Sequence, residues 1–291
     1  MTKFSKIGAV LSIAILANTQ IISKSFAKDT PEKPTYNLVL TSKVKWVPLN
    51  PARGEKGPKA GTLWGLWGDR SGSGPSGFLV KFVEGFSSPP HIHNVTYRGV
   101  VISGLIHNDD PEAQRMWMPA GSFWTQPKGQ VHITAAKAKT NLAYIEIDQG
   151  PYLVRPPSQA FDSGERPINI DKTNIVWVDH PEVRGSSNGT KKGTQMAFLW
   201  GTPQEDRLNG TFVKLPKGFE GKIHSLGTAL NAVVIKGQPH YQTPEASQTH
   251  ILQPGSYFGS RGKTATHLIS CKHQGECIIY LRMKGRFKLT S

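Results

Sequence analysis

The chain has 291 residues, enough for one large domain or two ordinary ones. A hydrophobic fraction of 37% supports a packed core, and 30 glycines with 21 prolines favour many turns and short strands over long helices. The formal charge of +15 is spread along the chain with no arginine-rich helix or recognition motif, which sets aside a nucleic-acid partner and leaves a solvated basic surface.

The N-terminus reads as a targeting segment. Lys3 and Lys6 precede the apolar run Ile7–Ala17, which is too short to span a bilayer. Ser25-Phe26-Ala27 then offers small residues at the −3 and −1 positions of a cleavage site. Residues 1–27 are therefore expected to be a removed signal peptide, and the protein to be exported, periplasmic or secreted. No later stretch is long and apolar enough for a membrane span. After a polar tail, folded sequence is expected from about Tyr36.

From there, short β-branched or apolar runs alternate with Gly/Pro/Asn/Asp turns. Candidate strands are Gly77–Val83, Tyr97–Ile106, Leu142–Ile147, Phe212–Leu215, Ala232–Ile235 and Cys277–Met283. Sustained 3.6-residue periodicity is absent, so an all-β sandwich or barrel is predicted. The pattern occurs twice. Val44-Lys45-Trp46-Val47 matches Ile175-Val176-Trp177-Val178, and Arg53-Gly54 matches Arg184-Gly185. Leu79-Val80-Lys81 matches Phe212-Val213-Lys214; Gly85, His91, Gly104 and His107 match Gly218, His224, Gly237 and His240. Two copies of one β-domain are predicted, 36–155 and 168–291, joined through the Pro/Ser/Gly-rich stretch Pro156–Pro167. Trp46 and Trp177 recur in both copies and are expected in core or inter-domain packing.

Two stretches of the first copy carry the chemistry. In Gly85–Gly104, His91 and His93 stand two apart, so on a strand both imidazoles look into one space. In Gly121–His132 a third histidine, His132, ends a second Gly/Pro turn region. These stretches resemble the two cupin motifs, G-x5-H-x-H-x3,4-E-x6-G and G-x5-P-x-G-x2-H-x3-N. The match is Gly85, His91, His93 and Gly104, then Gly121, Pro127, Gly129 and His132. It departs at two positions, where Tyr97 replaces the usual Glu and Ala136 the terminal Asn. The resemblance implies a bicupin, a duplicated jelly-roll-like β-barrel, and is strongest to a cupin-like family known mainly as a domain of unknown function.

Three imidazoles at His91, His93 and His132 suit iron, zinc, copper or nickel and leave coordination positions open. The Glu-less set resembles the three-His sites of cupin thiol and diketone dioxygenases, which implies one divalent metal per chain with Fe(II) favoured over Zn, Mn, Ni or Cu. Tyr97 has the strand parity of His93 and is expected to point inward, hydrogen-bonding substrate or bound water rather than the metal. His107 is a candidate acid/base, although its repetition as His240 favours a turn hydrogen bond. Trp117 and Trp124 flank the second motif and would line a pocket or fill the core. Asp109 and Asp110 read as turn residues. Asn94-Val95-Thr96 matches a glycosylation acceptor but lies inside the metal motif, which discounts it. Glu112 and Glu146 are candidate carboxylates that nothing in the sequence places near the site.

The second copy keeps His224 but has Leu226 and Leu230 where His93 and Tyr97 stand in the first. His267 would match His132 with one inserted residue. A structural or ligand-binding domain with a degenerate site is predicted. Cys271 and Cys277 flank a short polar turn, where an oxidising compartment would favour a disulfide. The resulting expectation is a metal enzyme of dioxygenase type acting on a small molecule. A metal-dependent isomerase, lyase or hydrolase, or a non-catalytic binding or sensing protein, stays open, as does a homo-oligomeric state.

Overall fold

The computed structural model describes residues 33–61, 65–179, 193–262, 264–272 and 275–291. The candidate signal segment 1–27 and Arg184-Gly185 lie outside the described residues. No helix among the described residues is long and apolar enough to cross a membrane. The described chain is strand with short 3-10 turns, a duplicated cupin fold.

Two seven-stranded antiparallel sheets dominate. The first runs Ile168–Ile170, Phe123–Gln126, Tyr97–Ser103, Asn141–Ile147, Ser76–Phe82, Lys59–Gly61, Trp46–Pro48. The second runs Thr35–Val39, Tyr257–Arg261, Ala229–Lys236, Cys277–Lys284, Leu208–Leu215, Gln195–Gly201, Val178–Asp179. Smaller sheets close each barrel. The predicted strands are all present. The candidate strand Tyr97–Ile106 is broken at Gly104, whose φ is +86°, and a new strand begins at Leu105. A Cβ there would lie 2.4 Å from Thr140 O, so the turn needs glycine. Its repeat, Gly237, has φ +81°.

The two copies exchange their first strands. Thr35–Val39 pairs with Tyr257–Arg261 of the second copy, and Ile168–Ile170 pairs with Phe123–Thr125 of the first. The boundaries 36–155 and 168–291 therefore describe the repeats, while each sheet is completed by the other repeat.

Strand alternation explains the near-continuous apolar runs, because both faces are buried. In Asn141–Ile147, Ala143, Ile145 and Ile147 enter the first barrel while Tyr144 turns to the other face. One cluster fills the first barrel and another the second. The third takes residues from both copies, including Leu79, Val100 and Tyr144 with Phe212, Val233 and Tyr280. Trp46 and Trp177 pack at its edges as expected for repeated residues, under Lys81 at 3.9 Å and Lys214 at 3.8 Å.

Glu146 lies among these inter-copy residues, 1% exposed. It accepts hydrogen bonds from Tyr144 Oη (3.0 Å) and Tyr280 Oη (2.8 Å). Those phenols in turn accept from the indoles of Trp67 and Trp200. Burial raises the Glu146 pKa, and Arg282 and Arg98, 3.8 and 3.9 Å away, oppose that shift. Replacing Glu146 by alanine strands two buried phenols and removes one of the two acids facing Arg282 and Arg98. Glu146→Ala is expected to lose about 3–5 kcal/mol of unfolding free energy in a denaturant titration, and a loss below about 1 kcal/mol would refute this role.

Candidate metal centre

Backbone pairing brings His91 to His132. Each N–H donates to the other's carbonyl, at 3.1 and 3.0 Å, and such directly opposed residues show their side chains on one face. His93 follows two residues after His91, and Gly129 N–H of the second motif holds its carbonyl at 2.8 Å. The three rings lie 4.3–5.3 Å apart between centroids, and one ring nitrogen from each falls within 4.8 Å of the others.

The supporting hydrogen bonds assign the tautomers. Nδ1–H of His91 donates to Pro89 O (2.9 Å), that of His93 to Leu153 O (3.0 Å), and that of His132 to Gln130 O (3.1 Å). Each Nε2 therefore carries a lone pair, the form that ligates metal. Burial lowers all three pKa values, and the neighbouring imidazoles add to the effect at His93 and His132, with His132 held at about 3. The trio is neutral at physiological pH.

Tyr97 points inward, as expected, from the start of a strand separate from that of His93, and is 2% exposed. Its hydroxyl donates to Asn108 Oδ1 at 2.8 Å and its oxygen lies 3.3 Å from His132 Nε2. That proton is committed to Asn108, which also accepts from Thr134 Oγ1 (2.7 Å) and donates to Gln126 Oε1 (2.9 Å). Two lone pairs, on Tyr97 Oη and His132 Nε2, thus face each other in a buried space. A cation between or beside them relieves that contact, so the donor set fits a divalent metal.

Tyr152 had no signal in the sequence. It sits beyond the cis Gly150–Pro151 bond, on a segment clamped by Asn94. Asn94 Nδ2 donates to Pro151 O and its Oδ1 accepts from Leu153 N, both at 2.9 Å. That amide is thus occupied structurally, in keeping with its discount as a glycosylation acceptor. The Tyr152 ring stacks on His93 at 4.2 Å and its hydroxyl donates to His93 Nε2 at 3.1 Å. Burial keeps both phenols, Tyr97 and Tyr152, protonated.

A cavity of about 310 Å³ opens over His91 and His93. Its walls include Val80, Phe82, Phe86, Trp124, Ile145 and Leu153. Trp124 is thus a wall residue, lying across Gly99, where a Cβ would meet its ring at 2.1 Å. Trp117 does not line this cavity; it packs half-buried at 6.1 Å from His107, beneath Arg115 and Lys137.

His107 is turned away from the trio. Its neighbour Asn108 faces Tyr97, and alternate residues of a strand face opposite ways. The turn at Gly104 inverts the parity that would have carried His107 inward. The ring lies by Trp117 and the Met116 backbone and outside the cavity lining, away from the position a catalytic acid/base would take. Asp110 does cap a turn, accepting from Glu112 N (2.9 Å), and Asp109 accepts from Asn169 (2.8 Å). Glu112 is exposed and Glu146 lies among the inter-copy residues, so neither carboxylate lines the cavity.

In the second copy the histidines part company. His224 pairs with Thr266 and His267 with Ile223, so the two imidazoles fall on opposite faces. His224 is held by the hydroxyls of Thr266 (3.1 Å) and Thr290 (3.2 Å). His267, fully buried, lies 3.0 Å from Tyr241 Oη and 3.1 Å from Ser260 Oγ. Among the described residues, the only cluster of three or more metal-type ligands is His91, His93 and His132. Cys271 and Cys277 form a disulfide, Cα atoms 6.0 Å apart.

Two barrels back to back, one with a three-histidine centre and one without, define a bicupin with a single candidate metal site. The chain belongs to the family described as a domain of unknown function, DUF4437, whose model matches residues 37–290. No curated protein matches the sequence. Among solved structures it is similar to a candidate dioxygenase from Nostoc punctiforme, at 12% identity and TM-score 0.61, over 86% of this chain and 83% of that one. It also resembles an oxalate decarboxylase from Bacillus subtilis described with Mn(II) centres, at 12% identity and TM-score 0.51, over 88% and 79%. The 7S globulin of Momordica charantia matches at 10% identity and TM-score 0.52, over 86% and 84%. Likeness at this level establishes architecture and leaves the reaction to the site.

Metal bound by the protein is expected to disappear in His93→Ala and persist in His267→Ala, by elemental analysis of purified protein. The buried His267 is held at about 4, mainly by burial, against about 6.5 unfolded. The unfolded chain then takes up a proton that the folded one refuses. This contribution is complete above pH 6.5 and lost as pH falls towards 4, by up to about 1.4 kcal/mol per unit. Metal-free protein should lose denaturant stability across that window, with a shallower slope in His267→Gln; an unchanged slope would argue against it.

Proposed function

We propose that the protein is an exported mononuclear non-haem metal enzyme of dioxygenase type, with Fe(II) held by His91, His93 and His132, acting on a small molecule in the adjoining cavity. The observation that carries this reading is a set of three neutral imidazoles, free of any carboxylate ligand, two of which, His91 and His93, line a largely apolar cavity. A bound metal would supply a Lewis-acidic, redox-active centre with open positions. The Cys271–Cys277 disulfide supports an oxidising compartment.

The chain's own groups prepare the site. The backbone carbonyls of Pro89, Leu153 and Gln130 aim the three lone pairs. Apolar walls exclude water, which strengthens every polar contact inside. Tyr97 stays fixed by Asn108, its oxygen held 3.3 Å from the His132 lone pair. The Tyr152 proton points at the very lone pair of His93 that ligation would occupy. Once that lone pair is engaged, the hydroxyl becomes a donor towards the cavity Tyr152 lines, suited to an oxygen of the substrate.

Anaerobic reconstitution with Fe(II) is expected to load one equivalent and to support oxygen uptake with a member of a panel of diketones, thiols and small aromatics. Tight zinc in the protein as purified, with no uptake across the panel, would sink the proposal. Tyr152→Phe should keep its metal while turnover falls about 10- to 100-fold; equal loss of metal and turnover would assign Tyr152 to holding the metal site instead.

A further inference from the structure

Arg53 belongs to the Arg-Gly pair that the sequence repeats after its tryptophan, and the three-histidine centre makes no use of it. It sits in the 3-10 segment Pro51–Lys56, which opens on Asn50, whose Oδ1 accepts from Ala52 N at 3.0 Å. The Arg53 N–H donates to Asn50 O at 3.1 Å, so the backbone that presents the side chain is fixed. The guanidinium stands 5.8 Å from the centroid of Phe86, on the wall of the cavity whose floor carries His91 and His93. It is close enough for its charge to be felt at His91.

Arg53 has no ion pair or hydrogen bond from its side chain among the described residues. The nearby acid, Glu55, is turned to Lys59 in an exposed pair at 2.5 Å. Two arginines, Arg53 and Arg70, line the cavity, and no Asp or Glu does. Arg70 is partly spent on the wall, donating to Gly61 O at 2.5 Å and lying over Phe78 at 5.6 Å. The histidines are neutral, so the lining supplies no acid to Arg53, and a divalent ion would add positive charge beside it. The half-buried Arg53 guanidinium keeps donors free beside apolar walls, and an anionic ligand can accept from them in a charge-assisted pair. A guanidinium is matched in plane and spacing to a carboxylate. The walls beside Arg53, Leu49, Phe82 and Phe86, are apolar and partly aromatic, and the volume is at the small end for ligand sites.

We propose that the cavity takes a small organic carboxylate, its anionic end recognised by Arg53 and its aromatic or branched apolar body held against Phe82 and Phe86. The inference names the substrate class of the site and rests on the metal-centred reading above. It makes Arg53 the specificity-determining residue of that site.

Calorimetric titration of the full-length protein with benzoate, phenylacetate and 3-methylbutanoate, each beside its uncharged amide, tests it. Elemental analysis of the same samples reports separately on the metal. At least one acid is expected to bind ten-fold or more tightly than its amide, with the ratio falling towards one in Arg53→Met and partly kept in Arg53→Lys. Metal content should be unchanged in both variants. Equal affinity for acids and amides, a ratio unaffected by Arg53→Met, or no heat from any acid would overturn the inference. Protein that refuses metal after reconstitution would overturn the metal-centred reading instead, while the acid-to-amide ratio still judges Arg53.

Discussion

A buried carboxylate, shared between two copies of one domain, sets the geometry on which the site depends. Glu146 is enclosed where the two large sheets meet and accepts one phenol from each copy, Tyr144 and Tyr280. Arg282 and Arg98 cluster around it and also reach Asp148, Arg282 in two contacts at 2.7 and 2.9 Å. Removing a partner from such a cluster is expensive, and the directional bonds fix how the copies meet. The metal centre is one strand step away. Arg98 pairs in register with Glu146, and the next pair, Tyr97 with Ile147, faces into the first barrel. One side of this strand pair anchors the inter-copy packing, and the other positions the phenol beside His132.

Inside the barrel, ordering is achieved by backbone rather than by acids. Carbonyl oxygens hold all three Nδ1–H groups, and an amide–hydroxyl chain through Asn108, Thr134 and Gln126 secures Tyr97. Where a cupin motif would place a carboxylate ligand, this chain has a neutral phenol. The site therefore carries less negative charge than its motif anticipates, and the cavity above it contains arginine in place of acid. Both departures push in one direction, towards an anion supplied from outside the chain.

Much of this was legible in the sequence. The glycine frames identify the motif turns, and the H-x-H spacing with a second framed histidine brings the trio together. Tyr97 does point inward, although bends at residues 94–95 separate its strand from that of His93, so the same-face count reached the right side without an unbroken strand behind it. His107 could not be placed by counting, because the turn at Gly104 reverses the alternation. His224 and His267 fail for a related reason. A one-residue register offset puts them on opposite faces, which similarity of residues along the chain does not reveal. Tyr152 comes from the loop after Asn141–Ile147, and Arg53 from a short 3-10 segment between Trp46–Pro48 and Lys59–Gly61. Neither belongs to a periodic element, so only the folded chain shows that they share a cavity with His93. The strand exchange was equally hidden, since a repeat identifies equivalent strands but not which edge each will join.

That exchange bears on the order in which the molecule is built. Thr35–Val39 finds its hydrogen-bond partners only at Tyr257–Arg261, more than two hundred residues later. A ribosome has made nearly the whole chain before the second sheet can gain its edge strand, and pairings so remote form slowly. The second sheet stays one edge strand short until the far end is available, while the first, whose strands all lie within residues 46–170, does not wait for it.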